Sequence, residues 1–210
     1  YPLAFGDHRN YLEAIWCLGH GKNEFYRTLA KGAMVAAKKY GGEDFACVLG
    51  QEMAGYATGE TFFANQSMSF RHSHLDTGSY GYDQKKHDKD AAKAVAFMVE
   101  DERERVLLTS LVSCLFARGV YKKGLLAECL VSVGLPDLAA SMDKAADEMQ
   151  RLRWRMRMAT GYEPEKTTVP KRFMEIETWA GKMDQTYLDD VRARYAVAIR
   201  ELGKPMETGK

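Results

Sequence analysis

The chain has 210 residues, 46% hydrophobic and 28% charged, which is enough for a full core and excludes a disordered or low-complexity chain. Lys plus Arg is 30 and Asp plus Glu is 29, so the net charge of +1 argues against nucleic acid or an anionic membrane as partner. No apolar run reaches the roughly 18 residues of a membrane helix and no signal-peptide pattern opens the chain. Four irregularly spaced cysteines make no disulfide framework, so a reducing, cytoplasmic setting is expected. The opening Tyr1-Pro2, with no initiator Met, reads as part of something longer.

In chain order, a short helix is expected over Tyr11 to Leu18. From Asn23, the residues Phe25, Leu29, Ala33, Ala36, Ala37 and Tyr40 share one helical face, closed by Gly41-Gly42. Phe45 to Leu49 is the one brief strand candidate. Glu102 to Tyr121 and Leu125 to Val133 read as two buried helices split by Gly124. Pro136 opens a helix with the stripe Leu138, Met142, Ala145, Met149, Leu152, Met156, ending at Gly161. Asp184 can cap a last helix whose apolar face is Tyr187, Val191, Tyr195, Ala198 and Leu202, with Gly203 after it. The class is all-α: one compact, irregular multi-helix unit over residues 1–210, with any sub-boundary near residues 50–90. Two long segments, Gly50 to Asp88 and Gly161 to Met183, resist the helix reading. They are rich in aromatic residues and histidine, and long ordered loops tend to be functional.

The first loop carries Arg71-His72-Ser73-His74-Leu75-Asp76. In an extended strand His72 and His74 would point to one side with Asp76 after them. No third and fourth ligand spacing supports zinc, so proton transfer by one histidine is the better use. Upstream, Gly50-Gln51-Glu52-Met53-Ala54-Gly55-Tyr56 places a phenol and a carboxylate between glycines, where Tyr56 can hydrogen-bond an oxyanion or simply cap the core. Cys114 lies among apolar residues of an expected helix, and a buried free cysteine is by default an inert small hydrophobe, as are Cys17, Cys47 and Cys129. In Arg151-Leu152-Arg153-Trp154-Arg155-Met156-Arg157 the arginines are expected on the solvated sides of the long helix, not on nucleic acid. No Gly-rich phosphate loop, nucleophile elbow or His-Glu-x-x-His motif occurs.

Taken in order, several landmarks resemble the C-terminal part of the aldehyde:ferredoxin oxidoreductase family. They are Leu29-Ala30-Lys31-Gly32 through Tyr40-Gly41-Gly42, Gly50-Gln51-Glu52 with Tyr56, Ser73-His74-Leu75, Ser110 to Phe116, and Pro170-Lys171-Arg172-Phe173. The resemblance implies helical C-terminal domains covering one side of a tungsten (or molybdenum) bis-pterin site with a 4Fe-4S cluster nearby. Carried over by position, Cys114 matches the C-terminal cluster cysteine, His74 the active-site histidine, and Tyr56 the tyrosine that hydrogen-bonds substrate or metal-bound oxygen. The family often has an Asp five residues before that cysteine, contacting a pterin, then Gly-Leu-Cys. Here the stretch is Thr109-Ser110-Leu111-Val112-Ser113-Cys114, so hydroxyls at Thr109 and Ser113 stand at the pterin contact.

The function so implied is oxidation of aldehydes to carboxylic acids with ferredoxin as electron acceptor. The partners are an N-terminal pterin-binding domain of the same enzyme and ferredoxin or another electron-transfer protein. One thiolate cannot hold a four-iron cluster, so the chain is expected to bind no cofactor and to be inactive by itself. Two alternatives stand beside this: a fragment of a class II benzoyl-CoA reductase-like catalytic subunit, and a non-catalytic helical interaction domain.

Overall fold

A computed structural model describes residues 3–42, 47–48, 51–52, 58–85 and 89–205. The first helix, α1 (His8–His20), starts where the Asp7 side chain accepts from the Asn10 amide at 3.2 Å and closes on Gly21 in the left-handed region. The expected single helix from Asn23 is two, α2 (Glu24–Leu29) and α3 (Ala33–Tyr40), because Gly32 turns the chain at φ 103°. Its inward residues are Tyr26, Thr28 and Ala36, whereas Phe25 is exposed. The strand expected over Phe45 to Leu49 is described only at β1 (Cys47–Val48), which pairs antiparallel with β2 (Gln51–Glu52), Val48 opposite Gln51.

The expected loop from Gly50 to Asp88 is corrected by α4 (Glu60–Met68) and α5 (Ser79–Asp83). Every residue of α4 is buried, so it has no apolar stripe to read, and several of its polar groups find partners inside the protein, while Asn65 Nδ2 and Gln66 Oε1 have none among the described residues. Glu60 accepts from the Asp184 amide at 2.6 Å and from Lys89 at 3.0 Å, Asp83 accepts from the Phe62 amide at 2.8 Å, and Asn65 accepts from the Thr77 hydroxyl at 2.6 Å.

Next comes α6 (Ala91–Ser110), capped by Asp90; it starts earlier and stops sooner than the expected helix ending at Tyr121. A turn and a 3-10 segment (Leu115–Ala117) lead to α7 (Lys123–Ser132), which contains Gly124 in its first turn. The long helix is α8 (Pro136–Ala159) and the last is α9 (Gln185–Leu202), whose Asp184 cap accepts from the Tyr187 amide at 3.1 Å as the sequence predicts. Between them lie 3-10 segments Pro164–Lys166 and Lys171–Glu175 and a small ribbon, β3 (Glu177–Thr178) with β4 (Gly181–Lys182). The described residues are thus mostly α, with only two-residue strands. None of the described helices is long and apolar enough to cross a membrane.

The main core joins α4, α6, α8 and α9 through Met68, Met98, Trp154, Val191, Tyr195 and Ile199. A second joins α6, α7 and α8 through Leu107, Leu126, Leu130, Met142 and Ala146. A third stacks Phe63 on Phe173, ring centroids 4.3 Å apart. Because α8 serves first the second core and then the main one, its buried residues follow an inclined row, Met142, Ala146, Gln150 and Trp154. The straight stripe expected from sequence holds only in its middle: Met142 is buried and Ala145 and Met149 half-buried, whereas Leu138, Leu152 and Met156 face solvent.

Where α6 crosses α8, the Glu102 carboxylate, 1% exposed, accepts from Gln150 Nε2 at 2.8 Å and Trp154 Nε1 at 2.9 Å. Burial pushes its pKa up to about 7 despite those bonds, with Arg153 nearby favouring the charged form and Asp76 opposing it. The folded state then holds a proton that an unfolded glutamate releases, so stability declines as pH rises from about 4.5 to about 7. Asp83, pushed to about 7 chiefly by burial, adds to the same slope. Urea unfolding across pH 5 to 8 should show this decline, and Glu102→Gln should make it shallower.

Candidate functional site

The turn after α4 is built by contacts from two helices. His72 has φ 53°, so this segment is not extended and the two histidines part, correcting the expectation that they share a side. His72 is buried: its Nδ1–H donates to the Ser67 carbonyl at 2.6 Å, and its Nε2 accepts from Arg157 at 2.5 Å. Burial and the Arg157 charge both lower its pKa, which keeps the ring neutral. Asp76, also buried, accepts from the Arg71 amide at 2.7 Å, Arg71 Nε at 2.9 Å and Arg153 at 3.2 Å. It is consumed as an ion-pair partner. Arg153 and Arg157 therefore leave the solvated face assigned to them by sequence and bind this turn, while Trp154 between them fills the core.

From the other side, Arg105 of α6 pairs with Asp101 at 2.7 Å and donates to the His74 carbonyl at 3.2 Å, and Asp101 accepts from the Gly78 amide. A Cβ at Gly78 would collide with the Arg105 guanidinium, so a larger residue there would force Arg105 to shift from its place. Held in this way, His74 is half-buried beside a cavity of about 290 Å³. Burial, then the Arg105 charge, lowers its pKa, so the imidazole is neutral near pH 7 and can donate or accept according to tautomer.

Cys114 lies outside α6, in the turn that ends it, and is exposed; this corrects both the helical placement and the expected inert role in the core, and Cys129 is exposed too. Cys17 alone among the cysteines whose side chains are described is buried. The turn has Schellman geometry: the Ser113 amide donates to the Leu108 carbonyl at 2.9 Å and the Val112 amide to the Thr109 carbonyl at 3.1 Å. Val112 takes the left-handed position at φ 57°, where the family pattern has glycine. Thr109 is exposed and donates its hydroxyl proton to the Arg105 carbonyl at 2.8 Å, so toward a pterin it offers only acceptor capacity. Ser113 is half-buried beside Cys114.

The two turns meet at the cavity. His74 and Leu75 line it from one side and Leu115, Phe116 and Arg118 from the other, with Tyr80, Gln84, Thr58 and Arg105 completing the wall. Arg118 joins the halves, donating to the Leu115 carbonyl at 2.7 Å and to the Tyr80 hydroxyl. Sequence reasoning missed Arg105, Arg118 and Tyr80; the spacing of Asp101 and Arg105 was a readable helical ion pair, but nothing local marks Arg118. Tyr56, with Gly50 and Met53 to Gly55, lies outside the described residues.

Around this cavity the surface is apolar and open. Val112 and Phe116 are each 92% exposed, next to the exposed Cys114. No group of three or more His, Cys, Asp or Glu side chains among the described residues could hold a metal ion. The exposed Cys114 thiol suits one ligand of a cluster whose other ligands come from elsewhere.

The described residues thus form a mostly helical unit in which the His74 turn and the segment just after Cys114 line one cavity. The family model for aldehyde ferredoxin oxidoreductase, domains 2 & 3, matches residues 1–201, and the chain belongs to that oxidoreductase family. No curated protein and no solved structure matches it.

A β-branched residue in the left-handed region carries strain of about 1–2 kcal/mol. Since Val112 is 92% exposed and loses no packing, Val112→Gly should stabilise the chain by about 1 kcal/mol, read as a raised urea midpoint with unchanged slope.

Proposed function

We propose that this chain is the C-terminal part of a tungsten or molybdenum bis-pterin, iron–sulfur enzyme that oxidises aldehydes to carboxylic acids, with ferredoxin accepting the electrons. The balance is an aldehyde plus water giving a carboxylic acid, two protons and two electrons. The observation that carries the reading is the placement of exposed Cys114 in the same turn that lends Leu115 and Phe116 to the His74 cavity.

The metal–pterin group, when bound, supplies the two-electron chemistry and the cluster passes the electrons onward. The residues of this chain bind and position. Cys114 supplies one thiolate to the cluster. His74, neutral and in the cavity wall, donates to or accepts from the substrate oxygen and moves a proton there. Tyr56 adds a hydrogen bond to the same oxygen, and the Thr109 and Ser113 hydroxyls receive the pterin where the family has a carboxylate. An N-terminal pterin-binding domain of the same enzyme covers Val112 and Phe116 and excludes water, and the chain alone is inactive.

In the complete protein, Cys114→Ala should bring cluster iron to background while the circular dichroism spectrum is unchanged; wild-type iron would sink the ligand assignment. His74→Asn should lower kcat by about 10²-fold with bound tungsten or molybdenum retained, and wild-type turnover would remove His74 from the chemistry.

A further inference from the structure

A second cavity, of about 380 Å³, lies between the start of α4, the end of α5, the β3–β4 hairpin and the start of α9. Among the described residues it shares only Thr58 with the His74 cavity. The buried part of its wall is acidic but occupied. Glu60 already accepts from Lys89 at 3.0 Å and from the Asp184 amide at 2.6 Å. Asp83 is held by the Phe62 amide, and burial pushes its pKa up to about 7, so near neutrality it carries only part of a charge. The exposed part of the wall differs. Lys85 and Lys182 make no ion pair among the described residues, so two positive charges at the edge of the cavity are unmatched. The hairpin adds an aromatic face: Trp179, at its tip, is 62% exposed and stacks on no other ring among the described residues. The tip itself is braced. The Thr178 hydroxyl accepts from the Ala180 amide and donates to the Gly181 carbonyl, both at 3.2 Å, and Gly181 takes φ 108°, where glycine is favoured. An indole held open by such a turn gains no packing within the chain, and it can receive a flat ring at little ordering cost.

We propose that this second cavity binds a flat aromatic ring carrying a phosphate, the class of a mononucleotide, with the ring on the Trp179 indole and the phosphate held by Lys85 and Lys182. Stacking on an aromatic side chain is tolerant of which base is offered, so the site selects a nucleotide and not a particular base. Lysine binds phosphate as a point charge and needs no Gly-rich loop, in keeping with a sequence that has none. At about 380 Å³ the cavity falls at the small end of ligand sites, the scale of one nucleotide. A nucleoside of the same shape keeps the stack and forfeits the lysines, so discrimination arises from the two ammonium groups. The inference is independent of the oxidation proposed for the His74 and Cys114 turns and stands or falls without it.

Titration of the purified full chain with AMP and with adenosine, read on the indole N–H resonances in NMR, tests this without turnover. The chain has three tryptophans, and AMP should shift Trp179 while the buried Trp154 stays unmoved. AMP should bind at least about tenfold more tightly than adenosine, the scale of one charge-assisted hydrogen bond. Lys85→Gln combined with Lys182→Gln should erase the gap between the two ligands, and Trp179→Ala should weaken both alike. All three side chains are exposed, so these variants keep the fold. Equal binding of AMP and adenosine by the wild-type chain, a test that needs no variant, would overturn the proposal. So would a Trp179 resonance that stays still at about 5 mM AMP, or an AMP preference that survives in the folded double variant. AMP that shifts only Trp16, on α1, would place the ligand elsewhere and overturn it as well.

Discussion

One buried carboxylate sets the register on which the rest of the described structure depends. Glu102 receives the Gln150 amide and the Trp154 indole at the crossing of α6 and α8, and a buried acceptor with two directional donors tolerates little sliding. With α8 so fixed, Arg153 and Arg157 fall opposite Asp76 and His72. With α6 fixed, Asp101 and Arg105 fall opposite the Gly78 amide and the His74 carbonyl. The turn that carries His74 is therefore clamped between two helices whose relative position is decided one layer deeper. Burial of a carboxylate is costly, which is why the Glu102 pKa rises to about 7; a leucine there would pack without specifying register.

The Cys114 turn obeys a different logic. It has no such clamp; it is shaped by the end of α6, through two backbone bonds and one left-handed residue. A helix terminus of this kind directs the next few side chains outward, and here those are Val112, Cys114 and Phe116. The candidate site thus joins a histidine whose position is over-determined by side chains to a cysteine whose position is determined by backbone. Arg118 reaches from the cysteine side to Tyr80 of α5.

Much of this was legible in the sequence and some was not, for physical reasons. The Asp184 cap, the Pro136 start and the α9 face were readable because each element packs one face on one core. α4 was not, since a helix buried on all sides has no amphipathic period, and its Glu60, Thr61, Asn65 and Gln66 read as loop chemistry. The α8 stripe was readable at Met142 but not at its ends, where Leu138, Leu152 and Met156 are exposed, because the buried row inclines through Ala146, Gln150 and Trp154. The arginine run misled because side chains that look solvated in a helical projection were spoken for by Asp76 and His72, 77 and 85 residues away along the chain. The family landmarks singled out Cys114 and His74 as candidates, but the cavity between the two segments arises from long-range packing that no local motif encodes.

The nearly neutral composition conceals the arrangement that gives the site its electrostatic character. A net charge of +1 reads as a surface with no preference, yet the signs are not mixed evenly. Asp76, Asp83 and Glu102 are buried and serve as acceptors for amides, an indole and guanidiniums. Asp83 and Glu102, held in the interior without an ion pair among the described residues, do not balance cations at the surface, and a cavity wall can then be locally positive in a chain that is globally neutral. Desolvation strengthens that local field, and it acts on the cavity where burial and the Arg105 charge keep His74 neutral. Composition bounds what the whole surface attracts; the position of each buried acid decides what a single cleft attracts.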